Sequence, residues 1–154
     1  SEKEIFNTAE EAYKNDEYLL AYSLYAQLPD YEKAVKRINS IEMPLDGTWI
    51  CNSGISLYGK SFYFHYYFGE GDIYFAVTGD STPITSKTAF QNQEIPSQFA
   101  FESLSSKPDG TILLAYKNSE GKTANFKINV KSNDRFIMHP TGADSDVFDF
   151  SRTS

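Results

Sequence analysis

The chain has 154 residues, with 14 basic against 21 acidic side chains, a net charge of −7 and one cysteine. That length buries a core without disulfide staples. An acidic balance with no basic stripe argues against nucleic acid or an anionic membrane surface as partner, a lone Cys51 excludes an intrachain disulfide or thiolate metal cage, and no apolar run approaches a membrane span.

Residues 1–42 read as helices. They hold no Gly, and apolar residues recur at helical spacing: Ile5, Ala9, Ala12 and Tyr13, then Tyr18, Ala21, Leu24, Tyr25 and Leu28. Thr8-x-x-Glu11 has the form of a capping box, unless the helix starts nearer Ser1. Asn15-Asp16 and Pro29-Asp30 interrupt the pattern, and Asp30 is the expected N-cap of a third helix carrying Tyr31, Ala34, Val35, Ile38 and Ile41. Three short helices are predicted, the first two forming a hairpin.

From Met43-Pro44 onward, through 43–154, Gly and Pro multiply and the apolar period drops to two. The 12 Phe and 11 Tyr suit pleated, half-buried surfaces. Turn signals such as Gly69-Glu70-Gly71-Asp72, Lys107-Pro108-Asp109-Gly110 and Asn118-Ser119-Glu120-Gly121 separate runs of strand length. The predicted strands are 48–51, 60–68, 73–78, 85–90, 98–104, 111–117, 123–131, 135–139 and 146–150, with Cys51 a small buried residue on the first. Phe126, Ile128 and Val130 alternate cleanly with Asn125, Lys127, Asn129 and Lys131. Eight or nine short strands with no intervening helix predict an α+β chain: helices, then an antiparallel meander that closes into a barrel or packs as a sandwich.

In the second run Phe62, Phe64, Tyr66 and Phe68 face one way and Tyr63, His65 and Tyr67 the other, so both faces need cover. Either the helical segment lies over the second face, or its aromatics wall a ligand site where Tyr hydroxyls bond a bound molecule.

Two resemblances follow from particular residues. Asn15-x-x-Tyr18-x-x-Ala21-x-x-x-Tyr25 resembles the tetratricopeptide pattern, with Asn in place of its Gly, and is similar to helical stretches beside membrane anchors in Firmicutes surface proteins. A solenoid needs about three such repeats, so this piece is expected to dock as a structural cap or to end a longer array. Gly47-Thr48-Trp49 opening an antiparallel meander resembles the calycins, above all small bacterial lipocalin-like domains. That resemblance implies a barrel over about residues 45–152, with a basic residue near the last strand covering the Trp ring. Arg152 stands in that place, and Trp49 and Arg152 would close one end.

Catalytic motifs are missing. Gly54-Ile55-Ser56-Leu57-Tyr58 fails the nucleophile-elbow pattern at its last position. His65 sits among aromatics and reads as a packed residue. His139 with Asp144 and Asp146 lacks the Gly and downstream Glu of a specific calcium loop. The expectation is a non-catalytic bacterial binding module without cofactor or metal, located outside the cell or on its surface with a signal or anchor before residue 1, the cytoplasm being the alternative. It would hold a small apolar or amphipathic ligand in the barrel, with Tyr58, Tyr63, His65, Tyr67 and Tyr74 as the candidate contacts. The competing reading is a protein- or glycan-interaction module with a filled barrel.

Overall fold

The computed structural model describes all of residues 1–154. Helices α1 (Glu2–Lys14), α2 (Tyr18–Ala26) and α3 (Glu32–Ser40) fall where the sequence places them. Ser1 caps α1 by accepting from the Glu4 N–H, so Thr8 lies inside the helix and its hydroxyl donates to the Glu4 carbonyl. Asp30 is not the cap of α3. The Tyr31 N–H closes a turn onto the Leu28 carbonyl, which leaves Asp30 exposed and puts Tyr31 at the cap position.

Strands β1 (Gly47–Cys51), β2 (Ile55–Leu57), β3 (Lys60–Gly69) and β4 (Asp72–Thr78) precede a short helix, α4 (Lys87–Gln91). Then follow β5 (Ser97–Ser106), β6 (Ile112–Lys117), β7 (Thr123–Ser132), β8 (Arg135–Pro140) and β9 (Phe148–Arg152). All pairings are antiparallel, in the order β1-β9-β8-β7-β6-β5-β4-β3, and β3 returns to β1 to close an eight-stranded barrel. The short β2 continues along β3 beyond the end of β1.

Two strand expectations need correction, and one strand was not anticipated. Residues 85–90 hold a helix because the Ser86 hydroxyl accepts from the Ala89 N–H and nucleates a turn. β9 starts at Phe148, since the Asp146 N–H is held in a turn to the Ala143 carbonyl. β2 is too short to have announced itself as a separate run.

The helices close one end of the barrel, where the β5–β6 and β7–β8 turns lie. Ser23 donates to the Gly110 carbonyl at 2.8 Å. Gly110 has φ +91°, and a Cβ there would lie 3.0 Å from the Ser23 side chain and backbone. Asn133 Oδ1 accepts from the Leu19 and Leu20 N–H groups at 3.1 and 3.3 Å. Those are first-turn donors of α2, whose own N-cap, Glu17, supplies no side-chain bond. α2 is apolar on all sides, as expected of a helix wedged between neighbours: Leu19, Ala21, Tyr22, Tyr25 and Ala26 are all buried. Ala21 and Leu28 join Trp49, Phe68, Ile112 and Phe136 in one core.

Asn133→Ala removes the acceptor for two helix-terminal donors. It should cost about 1–2 kcal/mol in a denaturant melt, while Asn7→Ala, on the exposed face of α1, should stay within about 0.5 kcal/mol.

Candidate functional site

The closed end is built around Trp49 and Arg152, directly opposite each other on β1 and β9. Trp49 is fully buried and its indole N–H donates to the Leu45 carbonyl at 2.9 Å. The Arg152 guanidinium lies 4.3 Å from the Trp49 ring centroid and donates to the Asp46 and Asn133 carbonyls and to the Asp134 carboxylate. Burial pulls its pKa down, against the opposing pull of Asp134 and Asp46. Gly47 makes this possible: at φ +134°, a Cβ there would stand 2.6 Å from an Arg152 nitrogen and 2.7 Å from the Ser154 carbonyl. The Trp49 and Arg152 side chains thus meet at this end of the barrel.

Above the clamp, inward-facing rings follow one another around the barrel. Trp49 meets Phe136 at 4.6 Å, Phe136 meets Phe150 at 5.3 Å, and Phe150 meets Tyr66 at 5.4 Å. Tyr66 meets Phe75, which leads through Phe99 to Tyr116 and Phe126. The Tyr66 and Tyr116 hydroxyls bond to each other at 3.0 Å, both side chains buried. Tyr66 is on β3 and Tyr116 on β6, three strands apart in a ring of eight, so their bond spans the lumen. Burial pushes both phenol pKa values up, which keeps the hydroxyls neutral. Sequence reasoning named neither residue as a candidate, although it set Tyr66 on one face of its strand with Phe62, Phe64 and Phe68.

The five candidate ligand contacts are elsewhere. Tyr67 and Tyr74 lie on the outer face of β3 and β4, where Ala76, Ile84 and Phe90 complete a second, smaller core. α4 and the segment leading into it cover this face, a task the sequence had given to the N-terminal helices. Gln91 donates to the Tyr74 hydroxyl at 3.2 Å. Tyr63 is half-buried beside the Gly54 turn. Tyr58 is fully exposed at the β2–β3 hairpin tip with φ +52°, a strained conformation for an aromatic residue. The structure therefore brings Tyr67 and Tyr74 together and leaves Tyr58 apart.

His65, on the same outer face, is 0% exposed. Thr78 donates its hydroxyl proton to the Asp80 carbonyl, so His65 must donate to Thr78 through Nε2, at 2.7 Å. Its Nδ1 is then a buried acceptor without a partner. Burial lowers the His65 pKa, with Asp80 pulling weakly the other way.

The opposite, open end carries a run of exposed apolar residues. Val147 before β9, Leu57 and Tyr58 on the hairpin, Val77 on β4 and Ile95 before β5 occupy neighbouring positions around the rim. Between β4 and β5 lies a cavity of about 400 Å³ lined by Phe75, Val77, Gln93, Glu94, Ile95 and Ser97. No sequence signal marked it, because it arises where two paired strands stop matching in length. His139 Nδ1 bonds the Asp146 carbonyl and Asp144 pairs with Lys127 at 3.4 Å, so these three side chains do not converge as a ligand set. Cys51 is buried on β1, as expected. No helix is long and apolar enough to cross a membrane.

Comparison of the chain with protein-family models, with characterised proteins and with solved structures finds no match.

Trp49→Ala and Arg152→Ala should each destabilise the barrel, and the double variant should lose less than the sum by about 0.5–2 kcal/mol if the stacked pair acts as a unit. Additive losses would show that the two act independently. For His65, the folded state disfavours the proton that the unfolded chain accepts near its ordinary pKa. The stability it contributes is full above about pH 6.5 and declines as the pH falls below that value. Denaturant melts should therefore show a smaller loss between about pH 7 and pH 5 for His65→Gln than for the parent chain.

Proposed function

We propose that this protein is a non-catalytic interaction module: a calycin-type barrel with a filled lumen and a tetratricopeptide-like helical cap, which meets its partner with its outside. The observation that carries the reading is the Tyr66–Tyr116 hydrogen bond across the barrel. A ligand in the lumen must break that bond and separate the stacked Phe99 and Tyr116 rings, 4.8 Å apart. It must also leave two buried phenols to find new partners, which costs about 1–3 kcal/mol for each one left unpaired. Small barrels are commonly filled by their own side chains.

The calycin assignment is supported by the Gly47, Trp49 and Arg152 clamp, and a bacterial cell-surface or secreted setting by the tetratricopeptide-like segment from Asn15 to Tyr25. A non-catalytic role is supported by the placement of the histidines. His65 is fully buried and bonded to Thr78, and His139 is engaged by a backbone carbonyl. His65 donates to the Thr78 hydroxyl rather than accepting its proton, and His139 has no hydroxyl or thiol as its partner.

Titration with an apolar fluorescent dye, paired with native mass spectrometry of protein purified without denaturation, tests this reading. The expected result is a bare polypeptide mass and no saturable, competable dye uptake. A co-purifying apolar molecule, displaced by the dye with changes in the Tyr66 and Tyr116 ring signals, would instead make the protein a lumen carrier.

A further inference from the structure

The barrel wall has a gap at its open end. β4 pairs with β3 along its full length, out to Tyr63↔Thr78, but its pairing with β5 stops at Phe75↔Ser97. No backbone hydrogen bond joins Ala76, Val77 or Thr78 to the connection that follows, residues 79–96. That stretch of β4 therefore has an unpaired edge, and the 400 Å³ cavity opens along it. A free strand edge is a ready template for another strand.

The walls define what would lie there. Val77 is 48% exposed and Ile95 81% exposed, and Phe75 forms the apolar floor. Glu94 stands at the lip, exposed and engaged in none of the ion pairs of the chain. Asp80, the nearest charged residue in sequence after β4, is also free of ion pairs and exposed, and its carboxylate holds the Thr82 N–H. The site thus offers backbone pairing, apolar contact and unneutralised negative charge together, on a chain of net charge −7.

We propose that this gap docks an extended polypeptide segment bearing a basic residue. The segment adds as a short strand to the free edge of β4 at Ala76–Thr78. One apolar side chain rests against Val77, Ile95 and Phe75, and a Lys or Arg reaches Glu94. Main-chain bonds give such a site its affinity, and alternate side chains give it specificity. The proposal rests on the filled-lumen reading and names the partner class and the place of contact.

The test is amide-resolved NMR on the full chain, titrated with a short acetylated and amidated peptide alternating valine with lysine. Expected are shifts confined to residues 76–78 and 93–97. Binding should weaken at least about tenfold, worth about 1.4 kcal/mol, when a central residue of the peptide becomes proline, when its lysines become glutamates, or when the protein carries Glu94→Gln. Equal binding of the proline peptide, or of a decyltrimethylammonium ion at the same residues, would overturn strand addition. No shifts at millimolar peptide would overturn the site while leaving the filled lumen intact. Shifts at Tyr66 and Tyr116 would overturn the filled-lumen reading itself.

Discussion

Arg152 is the point at which the parts of this protein are tied together. Its guanidinium covers Trp49 on β1 and bonds the Asp46 carbonyl where the chain enters the barrel. It also holds the Asn133 carbonyl in the β7–β8 turn. The side chain of that same Asn133 then receives the first N–H groups of α2. Seam, turn and helical cap are thus linked through two residues. A planar cation with five donors suits this position because it stacks and bonds several carbonyls at once, which an ammonium group does not. The left-handed backbone of Gly47 leaves the space in which it sits.

With one end closed this way, the interior is filled from the clamp upward. Rings from all eight barrel strands touch in sequence, and the Tyr66–Tyr116 bond fixes the middle of the barrel across its width. Aromatic pairs of this kind add to area burial through edge and offset contacts. The exposed apolar surface is then on the open rim and along the β4–β5 gap. The outer face of β3 and β4 is occupied by Phe90 and Ile84, which removes Tyr67 and Tyr74 from contact with a partner while α4 stays in place.

Much of this was legible in the sequence where local chemistry acts alone. The alternation at Phe126, Ile128 and Val130 placed β7, and the Gly and Asn turns placed the hairpins. The pairing of Trp49 with Arg152 was expected only from the resemblance of Gly47-Thr48-Trp49 to the calycins, since no local pattern links two residues so far apart in the chain. What was not legible depends on contacts far apart in the chain. Asn133 caps α2 across more than a hundred residues, a contact that no local pattern around Tyr18 reveals. Ser86 turned a weak alternation at 85–90 into a helix. Alternation separated Tyr66 from Tyr63 and Tyr67, but the candidate contacts were taken from the face that carries Tyr63 and Tyr67, which lies outside the barrel, while Tyr66 points into it. The β4–β5 gap left no trace, since strand-length mismatch is a property of pairing rather than of either strand.

The most direct measurement is native-state hydrogen exchange of the Leu19 and Leu20 amides in α2, compared with the Ile128 amide in β7, in the parent chain and in Arg152→Lys. If Arg152 and Asn133 bind cap and barrel into one cooperative unit, all three amides exchange with the free energy of global unfolding. Arg152→Lys then lowers all three by the same amount. Cap amides that open well below the global free energy, and do not respond to Arg152→Lys, would contradict the account and make the helices an independent appendage.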